Sequence, residues 1–378
     1  MAARLKIIFY SATVSKGGAE RVQVVLASGF AARGHDVVVA VDRPSPSLPL
    51  PPGIQEIVLG GGHMHDVLAL YRLFRREKPD AVISALAYCN LKATLAALAS
   101  GYAGRLVLAY HGFAASEWRG LSQIGYRLVP LLSRLSAATV AVSDMLKDDL
   151  LKTFRAAPGR TVRIYNPVHI GDAPRHVDEA DLMARPPLVL AIGRLVPEKG
   201  FLTLLRAFAQ LQDSRARLVI LGTGPQKAEL DAQIARLGLQ DRVTLPGHVA
   251  EPWSFFNEAR CLVSASHNES FGLVLLEAMA HGLPVVSTRC GATPEVLENG
   301  RYGRLVPVGD VTLMAQAMAE ALAHPGDPAP RIARAASFSI DVALDGYQRV
   351  IDAITITASQ RPSLKTRWSA RRQKPESP

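Results

Sequence analysis

The sequence has little of what builds metal sites, disulfide scaffolds or membrane spans. Its 378 residues include three cysteines, Cys89, Cys261 and Cys290, and no two of them have CxxC spacing. Neither a structural zinc site nor a disulfide framework is therefore indicated. No apolar run reaches the roughly 20 residues that a transmembrane helix needs. The first residues lead straight into a strand-like run instead of a signal peptide, so we expect a cytoplasmic protein in a reducing compartment.

Several motifs that define common enzyme classes are also absent. No Asp-x-Asp pair follows an apolar strand, so a metal–diphosphate site is not indicated, and we predict neither a metal nor another cofactor. The sequence has no Walker loop, no Ser/His/Asp elbow and no GxGxxG fingerprint, and it gives no support for the sites that these motifs build. The net charge is +10. No base-stacking motif accompanies that charge, so we do not expect a nucleic-acid partner.

What the sequence does contain is a regular alternation of short apolar runs with longer helical patterns. This alternation predicts an α/β fold with mostly parallel sheets covered on both faces. The pattern breaks after Asn166-Pro167, in a polar segment that contains proline, and restarts at Leu188. We therefore predict a doubly wound, Rossmann-like domain over residues 1–168, a linker over 169–187 and a second such domain over 188–339. The two domains would face each other across a cleft at the carboxyl ends of their strands.

The C-terminal part predicts one long helix and a charged tail. The helix is predicted over residues 340–357 and is expected to return to the first domain. Residues 358–378 are predicted to form a basic, disordered tail, because this segment contains six Lys and Arg residues and a single acidic residue, Glu376.

The densest group of candidate site residues surrounds a predicted helix over residues 271–281. Glu269 precedes this helix and Glu277 lies inside it. The free N–H groups of a helix N-terminus bind anions, and the separation of the two carboxylates corresponds to roughly 12 Å along a helix. That length suits a sugar joined through a diphosphate to a ribose. The alternative is an ordinary helix with a solvated Glu and an acid that the helix dipole favours.

Two turns of the first domain carry further candidates. Gly17-Gly18 precedes a helix, where the backbone could approach a phosphate closely. His111 follows a strand that ends at Tyr110, so it would face the cleft. The alternative for Gly17-Gly18 is an ordinary βα turn, which often contains glycine. The alternative for His111 is a solvated loop histidine without a functional role.

Two turns of the second domain carry the remaining candidates. Arg194 and Lys199 leave one strand end beside a helix N-terminus, and paired cations there suit a diphosphate. The turn from Gly222 to Gly224 could form a wall for a nucleobase. The alternative for Arg194 and Lys199 is that they are simply two exposed basic side chains. The alternative for the glycine turn is an ordinary helix start with proline at the first helical position.

The order and spacing of these motifs resemble the retaining glycosyltransferases of family 4, which have the GT-B fold. The resemblance rests on Gly-Arg-Leu-x-x-x-Lys-Gly, on Gly-x-Gly-Pro and on Glu-x7-Glu with its flanking residues, and it runs from Leu5 to about Thr357. The motif GGAERV at residues 17–22 is similar to that of the bacterial subgroup that builds lipid-linked oligosaccharides and exopolysaccharide repeat units. Ser270 and Ala292 replace glycines that are commoner at these positions, so the sequence does not identify the transferred sugar.

The resemblance implies a role for each candidate residue. Arg194 and Lys199 would bind the donor diphosphate, and Glu277 would bind the ribose hydroxyls. His111 and Glu269 would contact the transferred sugar near the reaction centre. Backbone groups would complete the donor site at Gly17, Gly18, Gly222, Gly224, Phe271, Gly272 and Leu273.

The resulting prediction is a retaining, metal-independent glycosyltransferase. The donor would be a nucleotide diphosphate sugar, a co-substrate with UDP as the expected nucleotide, and the acceptor a lipid-linked molecule or a glycan. Basic helices predicted over residues 66–78 and 121–135, together with the tail, suggest attraction to the anionic inner face of the cytoplasmic membrane. A solvated basic face is the alternative. Two other functions stay open: a GT-B-fold sugar-nucleotide epimerase, and a non-catalytic sugar-nucleotide-binding subunit.

Overall fold

The computed structural model of the chain describes residues 4–13, 18–44, 50–114, 120–171, 173–174 and 176–359, with side chains up to residue 355. Within these residues the chain forms two α/β domains, each built on a parallel sheet with helices on both faces. Gly17 and residues 360–378 of the predicted tail lie outside the described residues.

The first domain contains a seven-stranded parallel sheet. Its strands are β1 (Lys6–Ser11), β2 (Asp36–Val41), β3 (Gln55–Val58), β4 (Ala81–Ala85), β5 (Leu106–Tyr110), β6 (Ala138–Ala141) and β7 (Thr161–Arg163). The helices that follow these strands are α1 (Gly18–Ala32), α2 (His63–Glu77), α3 (Ala87–Ser100), α4 (Gly120–Arg127), α5 (Val129–Leu135) and α6 (Asp144–Lys152). The strand order is β3-β2-β1-β4-β5-β6-β7.

The second domain contains a six-stranded parallel sheet of order β10-β9-β8-β11-β12-β13. Its strands are β8 (Leu188–Ile192), β9 (Arg217–Leu221), β10 (Val243–Gly247), β11 (Cys261–Ser264), β12 (Val285–Thr288) and β13 (Arg304–Val306). The remaining helices are α7 (Glu179–Ala184), α8 (Phe201–Phe208), α9 (Lys227–Arg236), α10 (Trp253–Glu258), α11 (Leu273–Ala280), α12 (Thr293–Val296), α13 (Val311–Ala323), α14 (Ala329–Ala336) and α15 (Ile340–Ser359).

Most residues of the central strands are buried and apolar, because helices cover both faces of each sheet. In β2, all five residues from Val37 to Val41 are buried. The sheet order reverses direction between β1 and β4 in the first domain and between β8 and β11 in the second. Crevices that bind ligands open at such switch points, at the carboxyl ends of the strands.

Several elements differ from the sequence-based prediction. The helix expected over residues 121–135 is two helices, α4 and α5, because Pro130 sits in the first turn of α5 and cannot donate a backbone hydrogen bond. The three-residue edge strands β7 and β13 were not predicted, and the segment predicted as a linker contains α7. Strands and helices this short have too few residues to show a periodic pattern.

The C-terminal helix α15 packs against α1 of the first domain. Arg33 of α1 forms ion pairs with Asp341 at 2.9 Å and with Asp345 at 2.6 Å. Gly29 lies against Leu344 so closely that a Cβ there would be 2.6 Å from a leucine methyl group. The last described helix of the chain therefore packs on the first domain.

None of the described helices combines the length and the apolar character that a membrane span needs.

Candidate active site

The candidate residues gather where the carboxyl ends of the two sheets approach each other. Helix α1 and the loop after β5 contribute from the first domain. The loops after β8 and β11 and the start of α11 contribute from the second. The two domains touch here directly, since Ser143 at the start of α6 donates a hydrogen bond of 3.0 Å to the carbonyl of Ser270.

Helix α11 begins two residues later than the helix predicted over residues 271–281. Gly272 is its N-terminal cap and has a φ of 88°, a left-handed conformation that strains any residue with a Cβ. Leu273 is the first helical residue. The Leu275 amide donates to the Gly272 carbonyl at 3.0 Å, and the amides before it are those that a helix leaves without an internal partner. The turn at Gly272 therefore places the N-terminus of α11, which carries the partial positive charge of the helix dipole, directly after the loop that contains Glu269.

Glu269 is held by a contact within its own loop and by contacts from the loops after β8 and β12. Lys199 Nζ and Ser266 Oγ both donate to its Oε1, the latter at 2.9 Å. The amide of Ala292 donates to its backbone carbonyl at 2.8 Å. Ala292 thus supports the loop at one of the two positions where the sequence departs from the family pattern. The network gives Glu269 a fixed orientation and an adjacent cation.

Arg194 follows β8, as Lys199 does, and has different surroundings. Its side chain is exposed, and its charge acts on the pKa of Glu20 in α1. Burial raises the pKa of Glu20, and the nearby Arg194 guanidinium partly opposes that rise. Lys199 thus binds a carboxylate and Arg194 is open to solvent, and their joint contact with a diphosphate stays a prediction.

Gly222 and Gly224 bring the turn after β9 against the loop that carries Arg194. A Cβ at Gly222 would lie 1.8 Å from the carbonyl oxygen of Gly193, and one at Gly224 would lie 2.3 Å from that of Leu195. These two glycines permit backbone-to-backbone packing that shapes the Arg194 loop. Their predicted contact with a nucleobase stays a prediction.

Glu277 is buried in α11, with 4% of its surface exposed. Burial raises the pKa of its carboxyl group, and Arg21 of α1 opposes this effect. The Arg21 Nη1 atom lies 3.1 Å from Glu277 Oε1 and forms an ion pair across the domain boundary. Arg21 stood in the quoted GGAERV motif but was not among the predicted site residues, because nothing in its local sequence shows which residue it pairs with.

His111 is buried at the end of β5, in a loop that is fixed from two sides. Tyr126 donates a 2.6 Å hydrogen bond to the carbonyl of Gly112, and the Asn90 amide donates to Ala109 at 3.0 Å. Burial lowers the pKa of His111 to about 4. The imidazole is therefore neutral near pH 7 and can donate one hydrogen bond and accept another. Gln23 lies 3.5 Å from its Nε2 atom.

Gly18 faces the start of α11 from the other domain. A Cβ at Gly18 would lie 3.6 Å from a methyl carbon of Leu273, so the first turns of α1 and α11 are neighbours. Phe271 is buried beside them and packs on Tyr165, with ring centroids 5.7 Å apart. Contacts between the two domains thus join α1 to the start of α11 and Arg21 to Glu277, while Lys199 pairs with Glu269 in the loop before α11.

Family models match both domains of the chain. A model described as "Glycosyltransferase Family 4" matches residues 16–171, and one described as "Glycosyl transferases group 1" matches residues 186–324. Among curated relatives, D-inositol 3-phosphate glycosyltransferase of Mycobacteroides abscessus is 36% identical over 228 residues, which is 57% of this chain and 49% of the relative. The lipopolysaccharide core biosynthesis glycosyltransferase LpsE of Rhizobium meliloti is 35% identical over 149 residues, 39% of this chain and 43% of the relative. The chain aligns with about half or less of the length of these curated relatives.

Solved structures of the same architecture superpose on nearly the whole chain. HepE of Anabaena, crystallised in complex with UDP and glucose, gives a TM-score of 0.79 at 21% identity and covers 93% of this chain and 100% of its own. WaaG, a glycosyltransferase involved in lipopolysaccharide biosynthesis, gives a TM-score of 0.67 at 18% identity, with 93% and 99% covered. Two facing Rossmann-like domains with the cleft between them define the GT-B class of fold. With models matching each domain, the chain belongs to the family 4 glycosyltransferases.

Proposed function

We propose that this protein transfers a sugar from a nucleotide diphosphate sugar, with UDP as the nucleotide, to a lipid-linked or polysaccharide acceptor. The transfer retains the configuration of the anomeric carbon and needs no metal ion. The observation that carries the proposal is the Lys199–Glu269–Ser266 network at the start of α11, with Glu277 farther along that helix. The cation and the amides at the helix start suit a diphosphate. The carboxylates of Glu269 and Glu277 suit the hydroxyls of the sugar and of the ribose, respectively.

The leaving diphosphate is the group that needs most stabilisation during transfer. Its developing negative charge would be met by Lys199, by Arg194 and by the amides at the start of α11. Glu277 would accept hydrogen bonds from the ribose hydroxyls, and Glu269 would accept them from the sugar. Electrostatic stabilisation of a transition state requires groups that are oriented in advance, and the contacts of Glu269 with Lys199 and Ser266 support this role.

Retention follows from attack on the same face that the diphosphate leaves. Glu269 is engaged with Lys199 and Ser266, so we do not assign it as a nucleophile. The acceptor hydroxyl forms the new bond to the anomeric carbon as the bond to the diphosphate oxygen breaks. That departing oxygen takes the hydroxyl proton. His111, neutral and buried, would hold a sugar hydroxyl rather than carry a charge.

The acceptor side carries a surface that suits an anionic membrane. Helix α3 packs against both α2 and α4. Exposed apolar side chains on these helices and on α5 include Met64, Leu68, Leu95, Leu98, Ile124 and Leu131. Exposed arginines on α2, α4 and α5 are Arg72, Arg75, Arg76, Arg127 and Arg134. Exposed apolar and cationic side chains on neighbouring helices favour binding in the headgroup region of anionic lipids. A lipid-linked acceptor would then be met at the membrane surface.

The test of the transfer reaction compares wild type with Lys199→Ala and Glu277→Ala. Nucleoside diphosphate release from a panel of UDP-sugars is measured with and without membrane extract and with and without EDTA. We expect both variants to lose at least about tenfold in rate, because each removes a charge-assisted contact worth about 1.5–3 kcal/mol. Lys227→Ala, which breaks an exposed i,i+4 pair with Asp231, is the matched control and should leave the rate unchanged.

The outcomes separate the alternatives. Near wild-type rates in both site variants would contradict the proposed donor site. Free sugar released equally without acceptor would point to an epimerase, and binding without turnover to a non-catalytic subunit. The anomeric configuration of the product, read by NMR coupling constants, tests retention, and loss of rate in EDTA would contradict metal independence. Sedimentation with anionic vesicles at low salt tests the membrane surface.

A further inference from the structure

We propose that Arg21 is a positioning residue of the donor site, which holds the Glu277 carboxylate for the ribose hydroxyls and does so from the opposite domain. The proposal rests on the function proposed above and adds to it. Ribose recognition then requires both domains, because the carboxylate belongs to the second domain and the group that orients it belongs to the first.

The ion pair joins two residues that are far apart in the chain. Arg21 lies in the second turn of α1, and Glu277 lies in the second turn of α11. Their closest atoms, Nη1 and Oε1, are 3.1 Å apart. The Arg21 side chain is 31% exposed and that of Glu277 is 6% exposed. A contact formed by a buried carboxylate is screened little by solvent, so it counts for more than a surface pair.

Helices α1 and α11 present matching faces at this contact. Gly18 stands opposite Leu273, and Arg21 stands opposite Glu277. Residues three or four positions apart share one face of a helix. The pairs Gly18/Arg21 and Leu273/Glu277 therefore bring the two first turns side by side. The N-termini of both helices consequently point toward the same part of the cleft, where a diphosphate would lie, and Arg21 and Glu277 stand one turn farther in.

Arg21 favours the charged form of the Glu277 carboxylate. Burial disfavours the ionised form, and Arg21 is the charged group that opposes burial here. A protonated acid donates one hydrogen bond, whereas a carboxylate accepts from both oxygens. Arg21 contacts Oε1, and Oε2 receives no hydrogen bond from another side chain within the described residues. A vicinal diol such as the ribose 2′- and 3′-hydroxyls would donate to this half-occupied carboxylate.

Arg21 is itself held by the second domain. Its guanidinium carbon lies 5.3 Å from the ring centroid of Trp253 in α10. Trp253 is buried and stacks on His281 with an angle of 5° between the ring planes. A planar guanidinium can lie over a ring and bind a carboxylate at the same time, while a lysine ammonium lacks this geometry. We therefore expect arginine to function better than lysine at position 21, although both are positively charged.

The experiment measures how well the protein distinguishes a ribose from a deoxyribose. The full chain is titrated by calorimetry with UDP and with 2′-deoxy-UDP, as wild type and as Arg21→Gln, Arg21→Lys, Glu277→Gln and the double variant Arg21→Gln/Glu277→Gln. We expect wild type to prefer UDP by tenfold or more. Arg21→Gln should reduce that preference to less than threefold, as Glu277→Gln does, and the double variant should lose no more than either single one. Arg21→Lys should recover part of it.

The readout separates positioning from other roles. If Arg21 only contacts phosphate or only stabilises the fold, both affinities fall together and the ratio of UDP to 2′-deoxy-UDP binding is unchanged, which would overturn the inference. A wild type that binds both nucleotides equally would also overturn it, while the transfer assay would still decide the proposed function. A wild type that binds neither UDP nor other nucleoside diphosphates would sink both. Thermal unfolding of each variant confirms that folded protein is compared.

Discussion

Replacing Lys92 by methionine should destabilise the first domain more than an ordinary surface charge change. Lys92 lies in α3 with 1% of its surface exposed. Its ammonium group lies 2.5 Å from Asp42 and 2.9 Å from Asp66. Tyr10 also donates to Asp42, at 2.7 Å. The methionine chain fills similar space but leaves two buried carboxylates without their cation.

The magnitude follows from the cost of leaving buried charges unpaired. Removing one partner from a buried ion pair typically costs about 3–5 kcal/mol, and here one cation serves two carboxylates. Burial already raises the pKa of Asp42 with Lys92 present. Without Lys92, a carboxylate of this pair would bind a proton more readily in the folded state than in the unfolded state. The loss should therefore be largest at pH 7 and shrink toward pH 5, because raised acid pKa values favour the folded state at low pH.

Urea denaturation at pH 7 and pH 5, followed by circular dichroism, measures the effect on the free energy of unfolding. Lys152→Met is the matched control, since Lys152 forms an exposed i,i+4 pair with Asp148 and its loss should cost at most about 0.5 kcal/mol. A loss below about 1 kcal/mol for Lys92→Met at pH 7, or one that grows toward pH 5, would refute the reasoning. Adding Asp66→Asn to Lys92→Met should recover part of the stability.

Two further predictions concern the cleft. Because burial lowers the pKa of His111 to about 4, the unfolded state binds its proton more readily, and the stability contributed by this residue falls as the pH drops from 6.5. His111→Gln should remove about 1.5 kcal/mol of the loss between pH 6.5 and pH 5, and parallel pH–stability curves for variant and wild type would contradict this. Both carboxylate oxygens of Glu295 accept from the Asp144 amide at 2.9 Å, at the positive end of α6, so Glu295→Gln should cost about 1 kcal/mol in urea denaturation. Glu298→Gln, which breaks an exposed pair, is its control, and equal effects would count against the helix-end contact.

Local sequence patterns determined most of the architecture. The strands at Asp36–Val41 and Leu106–Tyr110 lie where continuous apolar runs predict them, because a strand covered on both faces must be apolar along its length. The alternation of strands and helices was enough to predict two parallel sheets and a cleft at their carboxyl ends. The motif around Gly272 located the start of α11, because a left-handed helix cap and an apolar helix face are both properties of consecutive residues.

The pairing of distant charges was decided by the tertiary structure alone. The sequence shows that Arg194 and Lys199 follow the same strand, but only the fold shows that Lys199 pairs with Glu269 and that Arg194 opposes the rise in the pKa of Glu20. The contact of Arg21 with Glu277 is another such case. A cation in the sequence has many possible partners, and only the packing of α1 on α11 brings one carboxylate within 3.1 Å and removes the water that would screen it. Motifs therefore showed which residues could form the site, and the approach of the two domains selected which of them meet.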